Sequence, residues 1–238
     1  MQFYRNLQPP KALTFDLDDT LYDNRPVIRR AEQAMHDWLA EHHPCSHTVE
    51  RADWQRLKMA LAAENPMLRH DVTRWRYEVL KAGLMQLGYP REKAEQAADE
   101  GVARVLVVRN QVDVPDETHR VLATLAEKLP LLAITNGNVD ADKIGLGGYF
   151  SRVLVAGRDG LSKPEPDMFE QAATLLGLPT QDILHVGDHL VTDVGGAKQN
   201  GFQACWFNDQ QRELRREPKA KWLPDVEIHT LSQLLALV

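Results

Sequence analysis

Leu13-Thr14-Phe15-Asp16-Leu17-Asp18-Asp19-Thr20-Leu21 sends apolar and β-favouring residues straight into two aspartates separated by one position. A buried strand that delivers carboxylates to its carboxyl end has this form. Strand side chains alternate between faces, so Asp16 and Asp18 share a face for as long as strand geometry persists. Two carboxylates that close repel by roughly 4 kcal/mol at ~4 Å with an effective dielectric of ~20. A divalent cation is the simplest way to offset that repulsion. Taken alone, the stretch reads equally well as a strand followed by turn or helix-cap aspartates.

The chain around it is 238 residues long and 43% hydrophobic, enough for one large domain or a domain carrying an insert. A net charge of −6 and a pI near 5.8 leave no basic stripe for a phosphate backbone, so nucleic acid is not the expected partner. A local pocket for a small anion is still compatible with that balance. Cys45 and Cys205 are far apart and outside any CxxC pattern, which argues against a disulfide framework or structural zinc. No run approaches the ~18 apolar residues of a membrane span, and Met1 to Pro10 does not read as a secretory leader. The expectation is a soluble, cytoplasmic protein without a membrane partner, and the sequence carries no signal for an oligomeric state.

Residues 24–110 read as a block of helices. Asn24 and Pro26 suit a helix start, and Ile28, Ala31, Met35 and Trp38 recur at helical spacing. Further amphipathic stretches carry Trp54, Leu57 and Leu61, then Val72, Trp75, Val79, Leu80, Leu84 and Leu87, then Ala94, Ala98, Val102 and Val105. Beyond Val112 the pattern alternates. A helix is expected after Pro115, and short apolar runs follow at 131–134, 153–155, 183–186 and 204–207, with a helix over 166–177. Val226–Ile228 and Leu231–Leu237 complete the chain as a strand and a helix, after a charged loop at 208–224. Strands alternating with helices predict a parallel sheet in the α/β class. Ligands in such folds bind outside the carboxyl ends of the strands. There Asp16 and Asp18, Thr135 and Asn136, and Asp188 can converge, with Lys163 ahead of a helix between the last two.

In this order the residues resemble the signatures of the haloacid dehalogenase superfamily, along the whole chain. Asp16-Leu17-Asp18-Asp19-Thr20 matches its DxDx(T/V) signature, Ile134-Thr135-Asn136 its strand ending in Thr or Ser, and Lys163 its lysine. Gly187-Asp188 through Asp193 matches its GDxxxxD signature. The resemblance implies a Rossmann-like core over 1–23 and 111–238 with an inserted helical cap over 24–110. It implies that Asp16 is a nucleophile that takes the phosphoryl group and that Asp18 is the general acid and base. Mg2+ would then be held by Asp16, the Asp18 carbonyl, Asp188 and Asp193. Lys163, Thr135 and the Asn136 backbone would neutralise or hydrogen-bond the phosphoryl oxygens. Asp18 argues against carbon–halogen chemistry, because the dehalogenating relatives lack that second aspartate.

His70 to Arg76 and Asp19 to Pro26 are similar to members that act on flavin mononucleotide and on 5-amino-6-(5-phospho-D-ribitylamino)uracil. That narrower likeness implies Arg74, Trp75 and Arg76 as substrate-binding residues. The expected activity is therefore a magnesium-dependent phosphomonoesterase acting on a small phosphorylated metabolite, with a cap that excludes water and selects the substrate. The alternatives are a broad-range phosphatase of sugar phosphates or nucleotides, a phosphomutase, and a metabolite-binding protein that has lost turnover. His185 is expected to pack in its strand with satisfied nitrogens, and the tryptophans at 38 and 54 to serve the core.

Overall fold

The computed structural model describes residues 1–238. Its sheet begins with a two-residue strand, β1 (Gln2–Phe3), and the apolar run before Asp16 forms β2 (Ala12–Phe15). All four residues of β2 are buried, as a strand covered on both faces requires. Four helices follow: α1 (Arg25–His42), α2 (Arg51–Glu64), α3 (Val72–Gln86) and α4 (Arg91–Arg109). The rest of the chain alternates as α5 (Asp116–Ala126), β3 (Leu131–Thr135), β4 (Arg152–Val155), α6 (Asp167–Leu176) and β5 (Ile183–Gly187), then α7 (Gly196–Gln199), β6 (Gln203–Phe207) and β7 (Val226–Ile228).

The seven strands lie in the order β1-β7-β6-β5-β2-β3-β4. From β2 the chain builds outward through β3 and β4, then returns to the other side of β2 and builds outward through β5, β6 and β7. The reversal beside β2 is the topological switch point at which α/β sheets open a crevice. Register pairs Leu13 with Leu131 on one side and Thr14 with His185 on the other. Ala12, Leu132, Ile134, Ile183, Ala204 and Trp206 pack into one cluster with Met168, Phe169 and Ala172 of α6. The alternate residues Leu13, Phe15, Leu131, Ala133, Leu184 and Val186 point the other way and are buried too.

Cα proximity divides the chain into two compact units, Met1–Asp23 with Asp113–Val238, and Asn24–Val112. The second unit is wholly helical. Trp38, Leu39, Leu80, Leu84, Ala94, Ala97 and Ala98 form its core, with Trp54 and Tyr77 packed against it. A Cβ at Gly83 would collide with the Trp54 ring, so only glycine lets α2 and α3 approach there.

The expected parallel sheet is present, with one addition at its edge, where β1 pairs antiparallel with β7; Gln2 and Phe3 are both exposed, so no hydrophobic pattern marks them. Two expectations are corrected. Asn24 occupies the position before α1, but its side chain makes no capping bond and its backbone is already helical. The final helix is a 3-10 stretch, Leu231–Ala236, begun by a reciprocal Thr230–Gln233 capping box.

Candidate active site

Strand pairing in β2 stops at Phe15, and the next residue turns its carboxylate into the end of the sheet. Asp16 is buried, and its Oδ1 accepts a hydrogen bond of 2.7 Å from the Lys163 ammonium. That ammonium also donates to the Ile134 carbonyl at 2.5 Å and lies 2.8 Å from Asp193 Oδ1. Its three N–H groups are matched by three acceptors, a condition that lets a lysine be buried with its charge. Burial works against that charge, but Asp16 and Asp193 outweigh it and hold the ammonium above the ordinary lysine range.

The backbone around Lys163 is fixed by one side chain. Asn136, just past β3, accepts from the Lys163 N–H at 2.7 Å and donates to the Lys163 carbonyl at 2.9 Å. Thr135 is buried beside it, and its hydroxyl accepts from the Gly137 N–H at 3.0 Å. That bond leaves the hydroxyl proton available for another acceptor.

Asp188 and Asp193 follow β5. One carboxylate oxygen from each of Asp16, Asp188 and Asp193 lies within 4.8 Å of the others. Gly187 makes this possible, because a Cβ there would run into the Asp193 carboxylate. Asp193 lies in the π-helical turn Leu190–Gly195, where its Oδ2 accepts from the His189 N–H at 2.9 Å. Burial alone would raise its carboxyl pKa, but Lys163 and His185 reverse that and hold it well below the carboxylate range. Asp16 behaves oppositely: burial, helped by the charges of Asp193 and Asp18, raises it despite Lys163. Asp188 is pushed up to about 7 by burial and by the charges of Asp193 and Asp19. His185 is pulled down to about 4 by burial and is neutral at pH 7. It bonds Thr14 Oγ1 through Nδ1 at 2.8 Å and faces Asp193 through Nε2 at 3.4 Å, so its nitrogens are occupied, as expected.

Three carboxylates cluster here, Asp16 and Asp193 buried and Asp188 half-buried, and one ammonium pairs with the first two, so the cluster has more acidic groups than basic ones. Hard oxygen donors in this arrangement suit Mg2+.

Asp18 is not one of the clustered carboxylates. The chain has left strand geometry, Asp19 takes a left-handed conformation with φ of 58°, and Asp18 Oδ1 accepts a 2.5 Å hydrogen bond from the Tyr22 hydroxyl. The alternation read from the sequence therefore does not extend past Asp16. Arg74, Trp75 and Arg76 diverge, since successive helical residues point about 100° apart. Arg74 pairs with Glu78 and lies over Tyr77, 4.9 Å from its ring centre. Trp75 donates its indole N–H to the Lys58 carbonyl at 3.0 Å, with the Lys58 ammonium 4.5 Å above its ring. Burial lowers Arg76 below the ordinary arginine range, with Glu32 opposing and Arg109 adding to the effect.

The sequence reading assigned no role to several residues at the site. Thr20 donates to Asp16 Oδ2 at 3.3 Å and accepts from the Asp188 N–H at 3.1 Å, linking the ends of β2 and β5. Trp206 Nε1 and Arg212 Nη2 both donate to the Asp188 carbonyl, at 2.9 and 3.0 Å. Asn208 is fully buried at the carboxyl end of β6. That position was the available signal, since Asn136 stands in the same place after β3.

A family model described as "Hydrolase: haloacid dehalogenase-like hydrolase" matches residues 10–201. The chain belongs to the haloacid dehalogenase-like hydrolases. It is 44% identical, over the full length of both chains, to the 5-amino-6-(5-phospho-D-ribitylamino)uracil phosphatase YigB of Escherichia coli (strain K12). Identity to a phosphoserine phosphatase of Thermus thermophilus is 29%, over 94% of this chain and 97% of that one. Among solved structures, one titled 2-haloacid dehalogenase from Pseudomonas syringae pv. Tomato DC3000 superposes with a TM-score of 0.90 at 38% identity, over 96% of this chain and 97% of that one. Within the haloacid dehalogenase-like hydrolases this chain is a phosphoric monoester hydrolase. No helix in it is long and apolar enough to cross a membrane.

Proposed function

We propose that this hydrolase cleaves 5-amino-6-(5-phospho-D-ribitylamino)uracil and flavin mononucleotide through an aspartyl-phosphate on Asp16. The observation that carries the mechanism is the Asp16 carboxylate, buried at the end of β2 with the Lys163 ammonium on one oxygen and two further carboxylates within 4.8 Å. What supports the substrate is the 44% identity over full length to the enzyme named for the uracil phosphate.

Asp16 attacks phosphorus as a carboxylate, forming a P–O bond while the ester P–O bond breaks. Asp18 gives its proton to the departing alcohol, then recovers one from the water that attacks the phosphoryl-aspartate and releases inorganic phosphate. Tyr22 orients the Asp18 carboxyl through its 2.5 Å hydrogen bond. Lys163 offsets charge on Asp16 and on the phosphoryl oxygens, and the Thr135 hydroxyl and Asn136 backbone donate to those oxygens. Asp16, Asp188, Asp193 and the Asp18 carbonyl would hold Mg2+, which supplies positive charge against the phosphoryl dianion and keeps Asp16 ionised. We assign the choice of substrate to the helical unit acting as a cap, with Trp75 and its neighbours Arg74 and Arg76 as its selecting residues.

The likeness to the Pseudomonas structure favours a second reading, hydrolysis of a carbon–halogen bond. A departing halide needs no proton, which leaves Asp18 without a task, whereas a departing alcohol needs one.

Phosphate release from a panel of phosphorylated metabolites, with Mg2+ and with a chelator, tests the proposal. Metal-dependent release fastest on the ribitylaminouracil phosphate or flavin mononucleotide is expected. Equal rates across the panel would remove the named substrates. Halide release from 2-haloacids without phosphate release would overturn the reaction. Trp75→Ala should reorder the panel, and an unchanged order would remove Trp75 from substrate selection.

A further inference from the structure

The peptide joining Asp188 to His189 is held at every polar atom. Its carbonyl accepts from both Trp206 Nε1, at 2.9 Å, and Arg212 Nη2, at 3.0 Å. Its N–H, on His189, donates to Asp193 Oδ2 at 2.9 Å. One residue earlier, the Asp188 N–H donates to Thr20 Oγ1 at 3.1 Å. A carbonyl oxygen has two lone pairs, and here both are taken, one by a charged donor. The backbone of Asp188 is thus immobilised, and its carboxylate emerges from a fixed base toward Asp16 and Asp193.

Arg212 is itself built into place. Asn208 Oδ1 accepts from the Arg212 N–H at 2.9 Å, and Asn208 Nδ2 donates to the Arg212 carbonyl at 2.9 Å. The same Nδ2 donates to Glu227 Oε1 at 2.6 Å, anchoring the clamp to β7. The Arg212 guanidinium lies 5.5 Å from the centre of the Trp206 ring, so the two donors to one oxygen also support each other.

We propose that Arg212 is a positioning residue for the metal site, acting with Trp206 and under the control of Asn208 to fix the Asp188 carboxylate and so to set Mg2+ affinity. The loop after β6 therefore tunes the metal without touching it. Partners that orient a ligand from behind typically change metal affinity 10- to 100-fold when removed. This inference rests on the proposed binding of Mg2+ by Asp16, Asp188 and Asp193.

The test is direct titration of the full chain, without substrate, by calorimetry with Mg2+ and by electron paramagnetic resonance with Mn2+. Arg212→Gln is expected to weaken both metals by about 10-fold or more, with kcat at saturating Mg2+ within about 3-fold of the parent and Arg212→Lys recovering part of the loss. Trp206→Phe, which keeps an aromatic side chain at the position but removes the indole N–H, should weaken metal binding in the same direction. A merely structural role would lower the melting temperature in chelator and leave the metal affinity of the folded protein unchanged. Unchanged affinity in folded Arg212→Gln and Trp206→Phe overturns the assignment while leaving the metal site standing. If the parent protein binds neither metal, the proposed metal reading falls and this inference with it.

Discussion

Replacing Lys163 with methionine keeps most of the side-chain volume and deletes the charge that two buried carboxylates share. At 2.7 Å from Asp16 and 2.8 Å from Asp193, each attraction is worth about 6 kcal/mol at an effective dielectric of ~20. Most of that is offset by the cost of burying the ammonium, and breaking such a pair from one side costs about 3–5 kcal/mol net. The loss has a pH signature. Removing the ammonium raises Asp16 still further above the range where burial already holds it, and releases Asp193 upward from its depressed range, so the fold then favours their protonated forms more than the parent does. Stability from a raised carboxyl is present at low pH and is lost as pH rises through the folded pKa. In the parent, Asp193 is held low by Lys163 and His185 and contributes stability in the opposite sense, present above its unfolded pKa. The gap between parent and Lys163→Met should therefore be narrower near pH 4 than near pH 8, where it reaches about 3–5 kcal/mol. Urea unfolding in the presence of a chelator, repeated across that range, measures it. A gap that does not change with pH, or one below about 1 kcal/mol at pH 8, would mean that lost packing is being measured and that the ammonium does not hold the carboxylates together.

Asp18→Asn keeps an acceptor for the Tyr22 hydroxyl but cannot donate a proton from a carboxyl. Turnover of alkyl phosphates should fall by about 10²- to 10⁴-fold and that of an aryl phosphate with an acidic leaving group much less; equal losses on both would remove Asp18 as the acid. Gly187→Ala puts a methyl group into the Asp193 carboxylate. It should cost about 1–3 kcal/mol of stability and abolish stabilisation by added Mg2+, and a variant that still gains melting temperature from Mg2+ would contradict the geometry. Cys205 is buried, which raises its thiol pKa, with Asp225 and Glu227 adding to the effect. The thiol is neutral in the fold, so above about pH 9 stability should fall by about 1.4 kcal/mol per pH unit as the unfolded thiol ionises. Cys205→Ser should lack that component in alkaline urea titrations; parallel slopes would show that the thiol does not contribute.

What the sequence made legible follows from how far each signal reaches. Asp16 and Asp188 come together because each directly follows a strand whose apolar run is unmistakable, and parallel strands bring their ends to one edge; Asp193 and Lys163 were legible through the order of the family signatures. The bearing of Asp18 was not legible, because a left-handed residue at Asp19 ends the alternation that a strand pattern assumes. Nor was the divergence of Arg74, Trp75 and Arg76 visible in a shared motif, although helical geometry alone separates them. Strand β1 escaped because two exposed residues paired by backbone bonds leave no pattern of side chains. Trp206 and Arg212 act on a backbone carbonyl 18 and 24 residues away. Nothing in local sequence encodes such a contact.

Two asparagines show how one solution serves both halves of the sheet. Asn136 follows β3 and Asn208 follows β6, and each spends its carboxamide on both the N–H and the carbonyl of one cationic residue, Lys163 and Arg212. A carboxamide suits this task because it offers a donor and an acceptor in one plane, matching the two polar groups of a single residue's backbone. Aspartate in either place would lose the donor and add charge beside carboxylates that already outnumber their counter-ions. The cations differ in what they do from those anchored bases. Lys163 reaches the Asp16 carboxylate itself, whereas Arg212 stops at the Asp188 backbone and leaves its carboxylate unpaired. Asp16 thus carries its own counter-charge, although burial still raises its carboxyl, whereas Asp188 is pushed up to about 7 by burial and neighbouring carboxylates with no cation on its own oxygens, so both clustered donors gain from a metal ion.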